Sequence, residues 1–332
     1  KSSLLKGWAS ALALGRDFHR FRPAGPARVI TYNVEDDLDE ERRRLSATLR
    51  QFGAAPRDLG GRLRIVGPEQ VGTLINRDPA SGQITLTPAM QAMEAMINEY
   101  RPEVLMLDPL VELHTAEEND NMGLRAVVAY FRGLSVRYQL ATVLAHHTRK
   151  GATAPGDPDS VRGAGSIVGA GRVVLTVCSM SDADATEFGM PLENKKFFFR
   201  VDSAKSNYAA LSEAEWFERT VYQLDNDEHV AAAVPWQPPS TAPSLDDIES
   251  IKHAVARGMP DGQPYTYAGK GPRALKILLR DHGHTSTEAV RSISAALQEA
   301  GFVSAEYRAD ANRATVLGIK SPDGLPKGVK WL

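Results

Sequence analysis

The chain has 332 residues, of which 42% are hydrophobic and 24% charged, as in an ordinary globular protein with room for one large and one small domain. Its net charge of -2 argues against a globally basic nucleic-acid binder but leaves room for a local basic path. One cysteine, Cys178, excludes an intramolecular disulfide, and no apolar run approaches the roughly 18 residues of a membrane span. We therefore expect a cytoplasmic protein without a membrane partner.

The first predicted element is a helix over residues 1–14, in which apolar residues recur at helical spacing behind Lys1 and Ser2. A Lys-Ser pair before an apolar helix is how a phosphate-binding loop ends. The Lys reaches the β- and γ-phosphates of a nucleotide, and the Ser hydroxyl binds Mg²⁺. The glycine-rich half that makes this motif specific is not in the sequence.

A predicted strand over residues 27–34 runs into Glu35, Asp36 and Asp37, and a charged helix over residues 39–52 follows. Two interpretations fit this acidic cluster. In the first, Asp36 or Asp37 caps the helix, because the N-terminal end of a helix favours carboxylates. In the second, Glu35 is a general base that orients a water molecule.

Next come a short strand over residues 63–66, a hairpin over residues 72–87, and a helix over residues 88–100 that begins with a proline. The apolar run Val104–Leu107 then ends in Asp108. Such a continuous apolar run is typical of a buried strand in a parallel sheet. Asp108 would lie at the carboxyl end of that strand, where it either caps the strand end or holds Mg²⁺.

A polar loop over residues 112–121 precedes a helix over residues 122–138 and a strand over residues 139–145 that runs into His146 and His147. Helices that alternate with apolar strands predict an α/β fold with a doubly wound, mostly parallel sheet. The acidic and histidine clusters each follow a predicted strand. Because the carboxyl ends of parallel strands open onto one crevice, we expect these clusters to meet there.

The following region predicts short strands separated by turn-rich segments. Its parts are a Gly/Pro/Asp-rich segment at 151–160, a helix start at 161–166, strands at 173–177 and 196–202, a loop at 203–207, and a strand pair near 216–222.

A proline-rich stretch over residues 234–244 predicts a linker, because its prolines should interrupt a helix or a sheet. We therefore expect a core domain over residues 1–233 and a second domain over residues 245–332. Three helices and two strands, the pattern of a winged helix, are predicted in the second domain at 245–257, about 272–282, 286–300, 302–307 and 313–319.

The third helix of this second domain would be capped by Thr285 or Ser286. Its exposed Arg291 would face a groove of duplex DNA. A module that contacts a protein, such as a replication protein, fits the same elements equally well.

Several short motifs stand in order along residues 1–223. They are Lys1-Ser2, Val34-Glu35-Asp36, Leu107-Asp108-Pro109, Glu118-Asn119, His146-His147-Thr148-Arg149-Lys150, Arg162-Gly163 and Gly171-Arg172. Their order and rough spacing resemble those of the RepA-like AAA ATPases, which are RecA-fold relatives of plasmid RepA and of DnaB-type replicative helicases. The resemblance implies a RecA-like P-loop core that binds ATP and Mg²⁺ and assembles into a homo-oligomer, a hexamer, with active sites at the subunit interfaces.

The resemblance also implies roles for individual residues in ATP hydrolysis. Lys1, Ser2 and Ser3 would end the Walker A loop, and Asp108 would be the Walker B acid that shares Mg²⁺ with Ser2. Glu35 would be the catalytic carboxylate, supported by Asp36.

Further implied roles concern the γ-phosphate and neighbouring subunits. His147 or His146 would sense the γ-phosphate, Arg172 would be an arginine finger in a neighbouring subunit's site, and Lys205 would be a second cation in trans. Simpler alternatives stay open: the His146-His147 pair binds a metal or nothing, Arg172 forms an intrachain salt bridge, and Lys205 is a solvated loop residue.

Three basic residues, Arg149, Lys150 and Arg162, border a loop that in such rings faces the central channel and single-stranded DNA. The first functional hypothesis is therefore an ATP-driven DNA helicase or single-strand translocase in the replication of a plasmid, phage or mobile element. The alternative is a nucleotide-switched DNA-binding or assembly factor that does not translocate. A KaiC-like ATPase that acts on proteins is a third hypothesis, against which the basic loop argues.

Overall fold

The computed structural model describes residues 1–69, 71–78, 80–117, 120–147, 155–158, 164–208, 212–239, 243–267, 271–284, 287–308 and 315–332. The chain divides into two compact units, Lys1–Ser181 with Glu193–Gln237 and Asp182–Leu192 with Pro238–Leu332. In the described part of the chain, no helix is long and apolar enough to cross a membrane.

The first unit contains helices and strands in alternation, followed by consecutive strands. Its helices are α1 (Ser2–Leu14), α2 (Leu38–Gln51), α3 (Pro88–Tyr100), α4 (Asn121–Tyr138) and α5 (Ala164–Ala170). Its strands are β1 (Val29–Asn33), β2 (Leu63–Val66), β3 (Ile75–Arg77), β4 (Ile84–Leu86), β5 (Val104–Asp108), β6 (Ala141–Leu144), β7 (Val173–Ser179), β8 (Phe198–Ser206), β9 (Glu215–Gln223) and β10 (His229–Trp236).

The centre of this unit is a four-stranded sheet in the order β2-β1-β5-β6, in which each neighbouring pair is parallel. Apolar side chains cover both faces. On one face Leu5 and Ala9 of α1 pack on Val29 and Met106, and on the other the residues of α3 and α4 pack on Ile30 and its neighbours. This arrangement confirms the predicted parallel α/β core, because helices that alternate with strands cover the two faces of one sheet.

A second sheet, in the order β10-β9-β8-β7, is antiparallel throughout. It packs on the other side of α1, where Leu4 and Ala11 contact Phe199 and Phe217. Helix α1 is therefore enclosed between two sheets. This two-sided burial explains why its sequence is apolar on nearly every face.

Two segment predictions in this unit are wrong. The predicted loop at 203–207 continues as strand β8 through Ser206, because these small and polar residues pair with β7 across a register shift between Val174 and Leu175. The predicted linker begins too early, since Val234, Pro235 and Trp236 end strand β10. Strand β10 lies at the end of the sheet, where a proline without an N–H is tolerated.

The second unit contains helices α6 (Asp182–Glu187), α7 (Leu245–Arg257), α8 (Leu275–Asp281) and α9 (Thr287–Glu299), and strands β11 (Val303–Arg308), β12 (Thr315–Lys320) and β13 (Lys330–Trp331). Strands β11 and β12 form the predicted hairpin, and β13 adds a third antiparallel strand beside β11. The helices α7, α8 and α9 share one apolar core that includes Ile251, Leu279 and Ile293. Gly301, two residues after the last residue of α9, has a φ of 85°, the left-handed conformation that commonly ends a helix.

Candidate active site

The carboxyl edge of the parallel sheet brings the N-terminus of α1 next to the end of β5. The hydroxyl of Ser2 donates to Asp108 Oδ2 at 2.7 Å, and Asp108 is only 5% exposed. The β1–β5 register places Asn33 opposite Asp108. A hydroxyl beside a carboxylate is an oxygen donor set that suits Mg²⁺, which takes one or two protein oxygens together with phosphate and water.

Lys1 lies between this pair and the end of the next strand. Its ammonium donates to the carbonyl of His146 at 3.1 Å and lies 3.0 Å from His147 Nδ1. Partial burial lowers the pKa of Lys1, and the charges of Asp108 and Glu35 oppose that shift. The ammonium is thus held at the sheet edge by two acceptors, which phosphate oxygens could replace.

The ring of His147 connects Lys1 to Glu35. Its Nε2 lies 3.6 Å from Glu35 Oε1, while its Nδ1 faces the Lys1 ammonium. An ammonium can only donate, so Nδ1 accepts, and a neutral ring then carries its proton on Nε2, toward Glu35. Glu35 is about half exposed, with 47% of its side chain accessible, which leaves one side of its carboxylate open to water.

The neighbouring acidic residues after β1 bind different partners. Asp37 caps α2, because its carboxylate accepts from the backbone N–H of Glu40 at 2.7 Å. Asp36 instead binds Arg44 of α2 through both carboxylate oxygens, at 2.5 and 3.1 Å. The capping interpretation is therefore confirmed for Asp37, whereas Asp36 is paired with Arg44.

Four polar residues near this edge are not among the predicted site residues: Lys6, Asn33, Glu41 and Arg44. Lys6 forms an ion pair with Glu41 in which only 4% and 0% of the two side chains are exposed. Asn33 donates to Glu41 Oε1 at 3.0 Å. A single charge in the otherwise apolar α1 sequence was the one signal that could have drawn attention to Lys6, because a buried charge needs a partner.

Arg172 and Lys205 lie together at the end of the antiparallel sheet. Arg172 is exposed and its backbone carbonyl accepts from the N–H of Asn207 at 3.0 Å. Lys205 donates to the carbonyls of Val168, Gly169 and Gly171 at 2.9, 3.2 and 2.8 Å. Lys205 thus binds the end of α5 and the turn before Arg172, rather than occupying a solvated loop.

The remaining predicted residues lie elsewhere. Ser3 is half-buried in the first turn of α1, and Arg291 is exposed on α9 of the second unit. Outside the described residues lie Glu118, Asn119, Arg149, Lys150, Arg162, Thr285 and Ser286. Among the described residues, no group of three or more His, Cys, Asp or Glu could hold a metal ion by itself. A Mg²⁺ ion at Ser2 and Asp108 would take phosphate oxygens and water as its other ligands.

Comparison with known proteins gives a family match and similarity to solved structures. Residues 1–153 match the model of a family described as AAA domain, a range that includes Lys1, Glu35, Asp108 and His147 and ends before Arg172. A solved structure of a KaiC-like protein from the hyperthermophilic archaeon Pyrococcus horikoshii is similar at 15% sequence identity, over 62% of this chain and 75% of that chain, with a TM-score of 0.37. The family match supports an AAA-type P-loop ATPase in this part of the chain.

Proposed function

We propose that this protein is an oligomeric, Mg²⁺-dependent ATPase that moves along single-stranded DNA as a replicative helicase of a plasmid, phage or mobile element. The observation that carries the ATPase part is the meeting of Lys1, Ser2, Asp108, Glu35 and His147 at one edge of a parallel sheet. Phosphoryl transfer needs a cation on the phosphates, a metal site and a group that orients water. Lys1, the Ser2–Asp108 pair and Glu35 at this edge would take these three roles.

Lys1 and the first turn of α1 would bind the β- and γ-phosphates. The Lys1 ammonium would exchange its bonds with His146 and His147 for stronger bonds to phosphate oxygens. Ser2 and Asp108 would hold Mg²⁺, which neutralises charge on the phosphates when bound.

Glu35 would orient the attacking water, since its carboxylate is half exposed at this edge. Once Lys1 turns to the phosphates, His147 is released from it on the Nδ1 side while its Nε2 still faces Glu35. His147 would therefore report the γ-phosphate to Glu35.

Arg172 would act on the nucleotide of a neighbouring subunit, in a homo-oligomer that we expect to be a hexamer. Its side chain is exposed, so the guanidinium is accessible to another subunit. Val173 and Leu175 on the same outermost strand are 52% and 42% exposed, and exposed apolar residues on such a strand favour contact with another subunit. A finger of this kind accelerates hydrolysis by about 10³ to 10⁵.

The DNA part of the proposal rests on the basic residues Arg149, Lys150 and Arg162 and on the resemblance of the motifs around them. Residues 245–332 would form a winged-helix-like domain in which Arg291 contacts duplex DNA or a replication protein. Its three helices and antiparallel hairpin support this second proposal, and residues 238–244 would connect it to the ATPase core.

The decisive experiment measures phosphate release by the full-length protein with Mg²⁺-ATP, with and without single-stranded DNA. We expect hydrolysis that single-stranded DNA stimulates and that Glu35→Gln abolishes, while nucleotide binding is retained. Glu99→Gln is the matched control, because the Glu99 side chain is 76% exposed on α3. An equal rate of hydrolysis with and without nucleic acid would contradict translocation along DNA. Binding to a defined duplex without strand separation would favour the nucleotide-switched assembly factor instead.

A further inference from the structure

A buried chain of polar groups runs from α1 to the turn that carries Glu35. It begins at Lys6, about one helical turn after Ser2, which forms an ion pair with Glu41 of α2. Glu41 uses its second oxygen to accept from Asn33 Nδ2 at 3.0 Å. All three residues are less than 5% exposed, so none of these bonds is shared with bulk water.

Asn33 links Glu41 to the backbone of Glu35. Its Oδ1 accepts from the N–H of Glu35 at 2.9 Å and, more weakly, from the N–H of Asp36 at 3.4 Å. Its Nδ2 also donates to the carboxylate of Asp36 at 3.0 Å. One amide side chain therefore fixes the backbone at Glu35 and is itself fixed by Glu41.

A contribution to packing and stability does not by itself explain the buried Lys6–Glu41 ion pair. Burial lowers the pKa of Lys6, and the charge of Glu41 opposes that shift. A buried ion pair is seldom more stabilising than well-packed apolar residues of the same volume, because both charges lose their hydration. Lys6 and Glu41 line the same small cavity as Ser2 and Asp108, so this polar pair lies directly behind the residues that would hold Mg²⁺.

We propose that Lys6, Glu41 and Asn33 are positioning residues, which hold the backbone of Glu35 at a set place relative to the helix that carries Lys1 and Ser2. This inference rests on the proposed ATPase function. Lys6 moves with α1, Glu41 moves with α2, and Asn33 connects both to Glu35. The water-orienting carboxylate and the phosphate-binding helix are thereby fixed to each other through the protein interior.

The test compares kcat, KM for ATP and the melting temperature of the full-length protein and its variants. Asn33→Ala removes the connection without leaving a buried charge unpaired. We expect its kcat to fall about 10- to 100-fold, the scale of a misplacement by about 1 Å, with KM little changed because Lys1 and Ser2 are intact. Asn76→Ala is the matched control, since Asn76 is exposed on β3, and it should keep the wild-type kcat.

A second comparison separates positioning from stability. Lys6→Met alone leaves the Glu41 carboxylate buried and unpaired, so its melting temperature should drop sharply. The double variant Lys6→Met/Glu41→Leu leaves no unpaired charge, so we expect its melting temperature to return close to that of wild type while kcat stays low, because Asn33 has lost its support.

Three outcomes would overturn the inference. Recovery of kcat together with melting temperature in the double variant would make the pair purely structural. A wild-type kcat in Asn33→Ala would remove the positioning role alone and leave the ATPase assignment standing. A wild-type protein that does not hydrolyse ATP would overturn the proposed function and the positioning role together.

Discussion

Tyr32 on β1 offers a measurable test of how the carboxyl end of this strand is held. Its hydroxyl donates to the carbonyls of Val71 and Gly72, at 2.6 and 2.8 Å, and the residue is 1% exposed. These bonds fasten the segment before the β3–β4 hairpin to the strand that leads into Asn33. Tyr32→Phe removes the hydroxyl and changes little else in the shape of the side chain.

The expected cost at neutral pH follows from the bonds that are lost. One neutral hydrogen bond contributes about 1 kcal/mol, and a buried carbonyl left without a partner adds to that loss. We therefore expect Tyr32→Phe to lower the free energy of unfolding by about 1 to 2 kcal/mol.

The difference between wild type and Tyr32→Phe should depend on pH. Burial raises the pKa of Tyr32 to about 12, whereas a tyrosine in the unfolded chain has the ordinary pKa of about 10. The raised pKa means that the stabilisation is fully present below pH 10 and is lost as the pH rises toward 12, because the unfolded chain gives up the proton more readily than the folded protein does. At pH 11, wild type should have lost about 1.4 kcal/mol through this group, and the phenylalanine variant nothing.

Urea unfolding at pH 8 and pH 11, followed by tryptophan fluorescence, measures both effects. The stability advantage of wild type over Tyr32→Phe should shrink from about 1 to 2 kcal/mol at pH 8 to nearly zero at pH 11. Other tyrosines titrate equally in both proteins and cancel in the difference. Tyr208→Phe is the control, because Tyr208 is 78% exposed and should show no difference at either pH. An advantage that is the same at both pH values would refute the account of Tyr32 as a buried, neutral donor.

Three further predictions concern the candidate site. Mixing Arg172→Ala with Glu35→Gln should restore part of the hydrolysis that each variant lacks alone, because a mixed oligomer contains some shared sites in which both residues are intact. No recovery would indicate that Arg172 acts within its own chain. Lys205→Met should lower the free energy of unfolding by about 1 to 3 kcal/mol in urea, since three carbonyls lose their donor, and unchanged stability would contradict this anchoring. Asp108→Asn should raise the Mg²⁺ concentration needed for half-maximal hydrolysis by about 10-fold or more, a loss of one charged metal ligand; an unaltered Mg²⁺ titration would remove Asp108 from the metal site.

The meeting of Asp108 with Ser2, and of Glu35 with His147, was predictable because it depends on topology alone. Each residue stands at the end of an apolar strand or at the start of a helix, and parallel strands bring these ends to one edge. This inference required no knowledge of how the side chains pack. The roles of the same residues in catalysis stay predictions until the variants above are measured.

Contacts that depend on how elements cross could not be read from the sequence. Glu41 stands in the charged run of α2 and looks like one more solvated carboxylate, yet it is fully buried because α2 lies beside α1. Lys205 stands among small polar residues that predict a loop, yet the pairing of β8 with β7 extends the strand past it. In both cases a tertiary neighbour, rather than local preference, decides the environment.

The burial of α1 on both sides explains the composition of this helix and the presence of its one charge. Gly7 would ordinarily weaken a helix by about 1 kcal/mol, but a Cβ at this position would lie 2.3 Å from the ring of Phe18, which is itself fully buried. The glycine thus lets the ring of Phe18 pack directly on the helix. In such a helix a lysine has no path to solvent and must be paired inside the protein. Lys6 therefore specifies where α2 lies against α1, and through Asn33 that contact also determines where Glu35 stands.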